Sequence, residues 1–188
     1  MPRYAKKILK WLCRRNGVNT KENQGFQVFS RSFQNMIKVL FICHGNICRS
    51  PMAEFILKDM ITARGMDDKF HIESAATSYE EIGNPVYPPA RTELAKHGIS
   101  CAGKTARKLM KSDFKEFDYL IAMEEYNLRN IRREFGAQLT EQVTLLLDYT
   151  DTPGDIDDPW YTGSFDVTYR EIVAGCEGFL EQFASGLF

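Results

Sequence analysis

No segment of this chain is apolar over the length needed to cross a bilayer; its longest hydrophobic runs are strand-sized. The first residues also lack the apolar core of a secretory signal. Cysteine is scarce and scattered. Cys13, Cys43, Cys48, Cys101 and Cys176 are an odd set with no Cys-x-x-Cys pair. That pattern argues against a disulfide framework and against structural zinc, and it fits a reduced, cytoplasmic protein. With three histidines and no His-rich cluster, the sequence gives no reason to expect a metal or any other cofactor. No internal repeat is visible, and no Gly-Lys-Ser/Thr run closes a nucleotide-binding loop.

What is present suits a soluble globular domain. The 188 residues are 44% hydrophobic and 26% charged, enough for one domain with a sizeable core. The net charge of −1 hides an asymmetry. Residues 1–35 carry eight Lys or Arg against one acid; residues 36–188 carry sixteen against twenty-four. An acidic body suits nucleic acid poorly, so any anion it handles must meet a local positive site. Tyr4, Ile8, Trp11 and Leu12 fall at helical spacing among Lys6, Lys7, Lys10, Arg14 and Arg15. Residues 4–15 therefore suit either an anionic membrane surface or a tail docked on the acidic body. The favoured reading is a dispensable basic extension over 1–35. Met36 stands before the first strand as an initiator would, and the domain spans 36–188, expected as a monomer.

Strand and helix signals alternate along that domain, which predicts an α/β fold. Val39–Cys43 reads as the first strand. Pro51 to about Arg64 reads as a helix with Met52, Phe55, Ile56, Met60 and Ala63 facing inward. Phe70–Ala75, Tyr119–Met123 and Val143–Leu146 read as further strands. Arg91–His97, Glu125–Phe135 and Phe165–Phe183 read as helices, the first two ended by Gly98 and Gly136. Strands that are apolar without clean alternation predict a parallel sheet covered on both faces.

The informative stretch is Cys43-His44-Gly45-Asn46-Ile47-Cys48-Arg49-Ser50, set between the first strand and a Pro51-led helix. A strand, a short loop and a helix N-terminus make a socket for a phosphate-sized anion. Gly45 allows a tight turn, and the backbone N–H groups of His44, Gly45, Asn46, Ile47, Cys48 and Arg49 can converge on the anion. Ser50 suits a helix cap and Pro51 the first helical position. Arg49 supplies a rigid fork for two phosphate oxygens and for a planar transition state. Cys43 lies where it can attack what the socket holds, and positive surroundings favour its thiolate. Ser50 can donate a hydrogen bond to that sulfur. Asn46 suits the task of tying the loop together in unusual φ/ψ space. A lone cysteine at a strand end is usually inert filling. Gly45, Arg49, Ser50 and Pro51 beside it argue for an anion site instead.

Attack on a phosphate ester also needs an acid for the leaving oxygen. Asp157-Asp158-Pro159-Trp160-Tyr161 is the best candidate, within a loop from Tyr149 to Gly163 rich in Asp, Pro, Gly and Thr. Trp160 and Tyr161 can wall a flat substrate. The residues alone leave open which aspartate acts, and an acidic surface turn is the plainer reading of this segment.

Taken together, the two segments resemble the low-molecular-weight protein tyrosine phosphatase family, whose pattern is Cys-x5-Arg-Ser after the first strand and Asp-Pro-aromatic-Tyr near the last helix. The likeness covers roughly residues 37–185. It includes Ser74-Ala75-Ala76-Thr77-Ser78, His97-Gly98-Ile99 and Ala122-Met123. The resemblance implies a three-layer fold: a four-stranded parallel sheet with helices on both faces and an anion-binding loop after the first strand. It also implies hydrolysis of phosphotyrosine, borne by protein substrates or small aryl esters, without metal, through a phosphocysteine. Cys43 would be the nucleophile, Arg49 the phosphate ligand and Asp158, rather than Asp157, the acid and then base. Asn46 and Ser50 would support the loop and thiol. Cys48 would be a redox partner able to form a protective disulfide with Cys43.

The chain departs from the family in three places. Many members carry a second His beyond the His-Gly-Ile match, near the loop Asn; here Ser100-Cys101-Ala102-Gly103-Lys104 stands there, so that support is missing or supplied otherwise. Tyr79-Glu80-Glu81 follows Thr-Ser as in bacterial relatives, and Trp160 replaces a common Tyr. Related arginine phosphatases usually carry Thr where this chain has Ile47, an apolar wall better suited to an aryl group. Arsenate reductases need relay cysteines, and Cys101 and Cys176 are single and far apart.

Overall fold

The computed structural model describes residues 36–184. The expectations for the basic segment 1–35, Cys13 included, lie outside the described residues. β1 (Ile37–Cys43) sits between β2 (Phe70–Ala76) and β3 (Tyr119–Ala122), and β4 (Val143–Leu145) pairs beyond β3. Every pairing is parallel, and Ile42 is in register with both Ala75 and Ala122. The helices are α1 (Arg49–Ala63), α2 (Pro88–Lys96), α3 (Asp113–Glu116), α4 (Glu125–Phe135), α5 (Ala137–Thr140), α6 (Pro159–Thr162) and α7 (Phe165–Ala184).

β1 is apolar throughout its buried length because both of its faces are covered. Val39 and Phe41 enter a core with Met52, Ile56 and Leu57 of α1 and Ile172 and Phe179 of α7. Leu40 and Ile42 enter a second core with Phe114, Leu120 and Ile131. Phe41 and Phe179 are fully buried, each contributing roughly 1.5–3 kcal/mol on removal from water.

Several elements differ from the expected bounds by one to three residues, and two of them show how packing sets the outcome. α1 begins at Arg49, and its buried face holds Met52, Ala53, Ile56, Leu57 and Ile61. Phe55 and Met60 are only half-buried and Ala63 is exposed. The helix is wedged between the sheet, α2 and α7, so its buried face is wider than one stripe, while its last turn stands in solvent. The last strand stops at Leu145, and Leu146–Tyr149 forms a 3₁₀ turn. α7 presses so closely on that turn that a Cβ at Gly178 would lie 2.1 Å from the Tyr149 carbonyl oxygen. Leu146 folds onto Gly175 instead of continuing the ladder.

The strand order β2-β1-β3-β4 makes the chain leave β1 toward one edge and β3 toward the other. In an open parallel sheet that reversal leaves a crevice at the carboxyl ends of the two strands. The loop after Cys43 and the residues after Ala122 border it.

Candidate active site

The loop after β1 is held by its own polar atoms. Cys43 ends the strand almost fully buried, and its Sγ lies 3.0 Å from Ser50 Oγ. The Asn46 N–H donates to the same sulfur at 3.3 Å. Asn46 is the one non-glycine with positive φ (58°) among the described residues. Its buried side-chain amide donates to Ser50 Oγ and to Ser74 Oγ, both at 2.8 Å, and its Oδ1 accepts from Arg107 N at 3.1 Å. Three hydrogen bonds therefore hold a left-handed conformation that costs a non-glycine residue roughly 1–2 kcal/mol.

One local expectation is corrected. Ser50 is not the helix cap: α1 starts two residues earlier than expected, at Arg49, Cys48 holds the cap position without a side-chain bond, and the Ser50 hydroxyl turns to the sulfur. Pro51 thus stands third in the helix, where an amide is still unpaired by the helix itself. The left-handed φ falls at Asn46, the residue expected to hold unusual backbone angles, and not at Gly45. Gly45 is small because Glu81 crosses above it, with Cγ 3.1 Å from where a Cβ would be.

Arg49 lies beneath the loop, 1% exposed. Its Nη1 donates to the Ile156 carbonyl at 2.9 Å, and its Nη2 to Glu124 Oε1 at 2.7 Å and Asp158 Oδ2 at 2.5 Å. Its Nε is buried with no acceptor among the described residues, a donor open to a ligand. Burial opposes the guanidinium charge, but the Cys43 sulfur, Glu124 and Asp158 outweigh it and hold the proton more tightly than usual.

The Asp-Pro loop is pinned beside β3, where Ile156 N donates to Met123 O at 2.8 Å. That register delivers Asp158 to Arg49 and leaves Asp157 exposed. Asp158 also caps α6, its Oδ1 accepting from Trp160 N at 3.1 Å. Trp160 is half exposed and leans on Tyr87, with ring centroids 4.8 Å apart. Tyr161 is 85% exposed. Ile47 is buried with Cys48 and Ala106 against Tyr87 and Phe165. His44 sits at the outer edge, its Nε2 2.9 Å from Glu80 Oε2.

Cys48 is buried beside the site, and its thiol is pushed well above the ordinary range by burial and then by Cys43 and Asp158. Burial also raises the Cys101 and Cys176 thiols.

Sequence reasoning missed several partners. Glu124 follows Ala122-Met123, and an acid placed just past a buried strand at the sheet's carboxyl end was its one signal. Tyr87, Ser74, Arg107, Glu54 and Lys104 were not assigned, because their approach to the loop depends on crossovers between elements. Among the described residues no group of three or more His, Cys, Asp or Glu side chains is placed to hold a metal ion. Nor is any helix there long and apolar enough to cross a membrane.

A sequence profile of the low molecular weight phosphotyrosine protein phosphatases matches residues 38–187. The chain belongs to this family of phosphatases. It is 41% identical over 147 residues to the low molecular weight protein-tyrosine-phosphatase YfkJ of Bacillus subtilis, covering 77% of this chain and 94% of that one. The crystal structure of YfkJ superimposes with a TM-score of 0.77 at 39% identity, over 80% of this chain and 96% of that one. The low molecular weight phosphotyrosine protein phosphatase of Gallus gallus is 40% identical over 149 residues, 77% of this chain and 94% of its own. A Drosophila arginine phosphatase also matches, with a TM-score of 0.69 and 32% identity over 78% of this chain and 98% of that one.

Proposed function

We propose that this phosphatase hydrolyses phosphotyrosine, and small aryl phosphate monoesters, through a phosphocysteine intermediate without a metal. The supporting observation is the convergence of Cys43 and Arg49, at the two ends of one short loop, with Asp158, 109 positions beyond Arg49, on one crevice. The ester phosphate is held by the loop amides of residues 44–49 and by the Arg49 fork, whose Nε has no acceptor among the described residues. Cys43 Sγ attacks phosphorus as the thiolate. The S–P bond forms, the P–O bond to the leaving group breaks, and the Asp158 carboxyl gives its proton to the departing oxygen. Water then attacks phosphorus, Asp158 takes its proton, the S–P bond breaks and inorganic phosphate is released. The Ser50 hydroxyl, 3.0 Å from the sulfur, stabilises it as the second leaving group. Cys48 serves as the redox partner of Cys43.

An arginine phosphatase is the second reading, since one relative carries that name. Ile47 favours the aryl ester. It presents a buried apolar side chain packed on Tyr87 and Phe165 and has no polar atom for a guanidinium. Arsenate reduction is disfavoured by the buried, separate Cys101 and Cys176. The test is phosphate release from p-nitrophenyl phosphate, phosphotyrosine and phosphoarginine with EDTA present. The aryl substrates are expected to turn over and Cys43→Ser to be inactive. Acid quench during turnover is expected to trap phosphate on Cys43. Phosphoarginine cleavage far above phosphotyrosine cleavage, or turnover by Cys43→Ser, overturns the reading.

A further inference from the structure

A buried charge pair lies directly behind the catalytic loop and takes no part in the chemistry above. Glu54 of α1 has a side chain 4% exposed, and Lys104, from the segment between α2 and α3, one 11% exposed. Lys104 Nζ lies 2.9 Å from Glu54 Oε2 and donates to the Ser74 carbonyl at 3.1 Å. Ser74 Oγ donates to the same Glu54 oxygen at 2.6 Å. Lys58 meets the other oxygen at 2.6 Å from a more exposed position.

Hydrogen bookkeeping gives this cluster a direction. A serine hydroxyl has one proton. Ser74 spends its proton on Glu54, so it meets Asn46 as an acceptor. Both amide protons of Asn46 are then committed, one to Ser74 and one to Ser50. Ser50 accepts from Asn46, and it donates its own proton to Cys43 Sγ when that sulfur is a thiolate, which can only accept. The order Lys104–Glu54–Ser74–Asn46–Ser50–Cys43 runs from a cation to the sulfur, and with Cys43 as a thiolate each bond has one sense. The segment that carries Lys104 also supplies the Arg107 N–H that fixes Asn46 Oδ1. Buried ion pairs add little net stability. What this one does is hold Glu54 as an acceptor and tie the end of β2 to α1 under the loop.

We propose that Lys104 is a positioning residue for catalysis: through Glu54, Ser74 and Asn46 it sets the loop and the Ser50 hydroxyl that face the attacking sulfur. This rests on Cys43 being the nucleophile, and the test separates the two. With p-nitrophenyl phosphate, Lys104→Met is expected to lower kcat about tenfold while KM stays within about twofold, because the phosphate ligands are untouched. Lys104→Arg restores the cation and is expected to recover kcat to within about threefold of wild type. Ser74→Ala is expected to show a similar loss, and the double variant Ser74→Ala/Lys104→Met little further loss, since both break one chain. Lys104→Gln decides the matter if Lys104→Met does not fold; its kcat is expected to fall as well. Wild-type kcat in a folded Lys104→Met or Lys104→Gln variant overturns the proposal, as does a change carried by KM alone or an equal loss in Lys104→Arg. Activity in Cys43→Ser would sink the nucleophile assignment instead.

Discussion

Asp158 Oδ2 rests 2.5 Å from Arg49 Nη2. The carboxylate proposed as the acid thus occupies a donor that a substrate phosphate needs. Binding must exchange one anion for another at the guanidinium, which frees Asp158 to carry its proton beside the leaving oxygen. Asp158→Ala should therefore slow turnover while easing phosphate binding. The expected loss in kcat is roughly 10²–10⁴-fold, the usual scale for general acid catalysis, and smaller for p-nitrophenyl phosphate than for phosphotyrosine. Inorganic phosphate should inhibit the variant at least as tightly as wild type. Weaker phosphate inhibition would show that the pair does not compete.

Glu124 Oε1 accepts from the same Arg49 Nη2 at 2.7 Å and from Asn127 Nδ2 at 3.2 Å. A hydrogen bond to a charged group contributes about 1.5–3 kcal/mol. Glu124→Gln should accordingly cut kcat/KM by about 10- to 100-fold. Steady-state kinetics on p-nitrophenyl phosphate checks this, and a change under threefold refutes it.

Asn46 combines a left-handed backbone with three side-chain bonds. Asn46→Gly relieves the backbone but loses the bonds; Asn46→Ala loses both. Asn46→Gly should melt at the higher temperature of the two, by a margin reflecting about 1 kcal/mol of left-handed strain. Both should lose at least about tenfold in kcat, because the serine hydroxyls are no longer directed. Calorimetry and kinetics together separate strain from hydrogen bonding.

Cys48 is buried within electrostatic reach of Cys43, and burial first, then Cys43, holds its thiol protonated. It should therefore be inert toward alkylation until Cys43 is oxidised. Mild peroxide should inactivate wild type reversibly, with thiol restoring activity, and Cys48→Ser irreversibly. Equal recovery of the two proteins would remove the protective role.

Tyr119 has its hydroxyl pushed up from 10.0 to about 12 by burial and then by Asp118. The folded state holds this proton more tightly than the unfolded chain does. The resulting stability is complete below pH 10 and is lost as pH rises from 10 toward 12. At about 1.4 kcal/mol per pH unit, the decline reaches roughly 2–3 kcal/mol. Urea unfolding at mildly and strongly alkaline pH should show it in wild type and show less in Tyr119→Phe. Identical slopes would refute it.

The order of chain elements was legible in the residues themselves. Glu125–Phe135 falls where its periodicity and Gly136 place it, and β1 is recognisable because a strand buried on both faces must be apolar throughout. Local chemistry also singled out the run from Cys43 to Ser50, since an anion socket needs donors within a few residues of one another. Crossovers decided the remainder. Only the β2-β1-β3-β4 order brings Glu124, Ile156 and Asp158 to Arg49, and only the packing of separate segments puts Glu54, Ser74 and Lys104 behind Asn46. Sequence neighbours dictate which backbone shape is cheap. Which distant side chains share a buried space depends on how the layers close, and that is settled by tertiary packing alone.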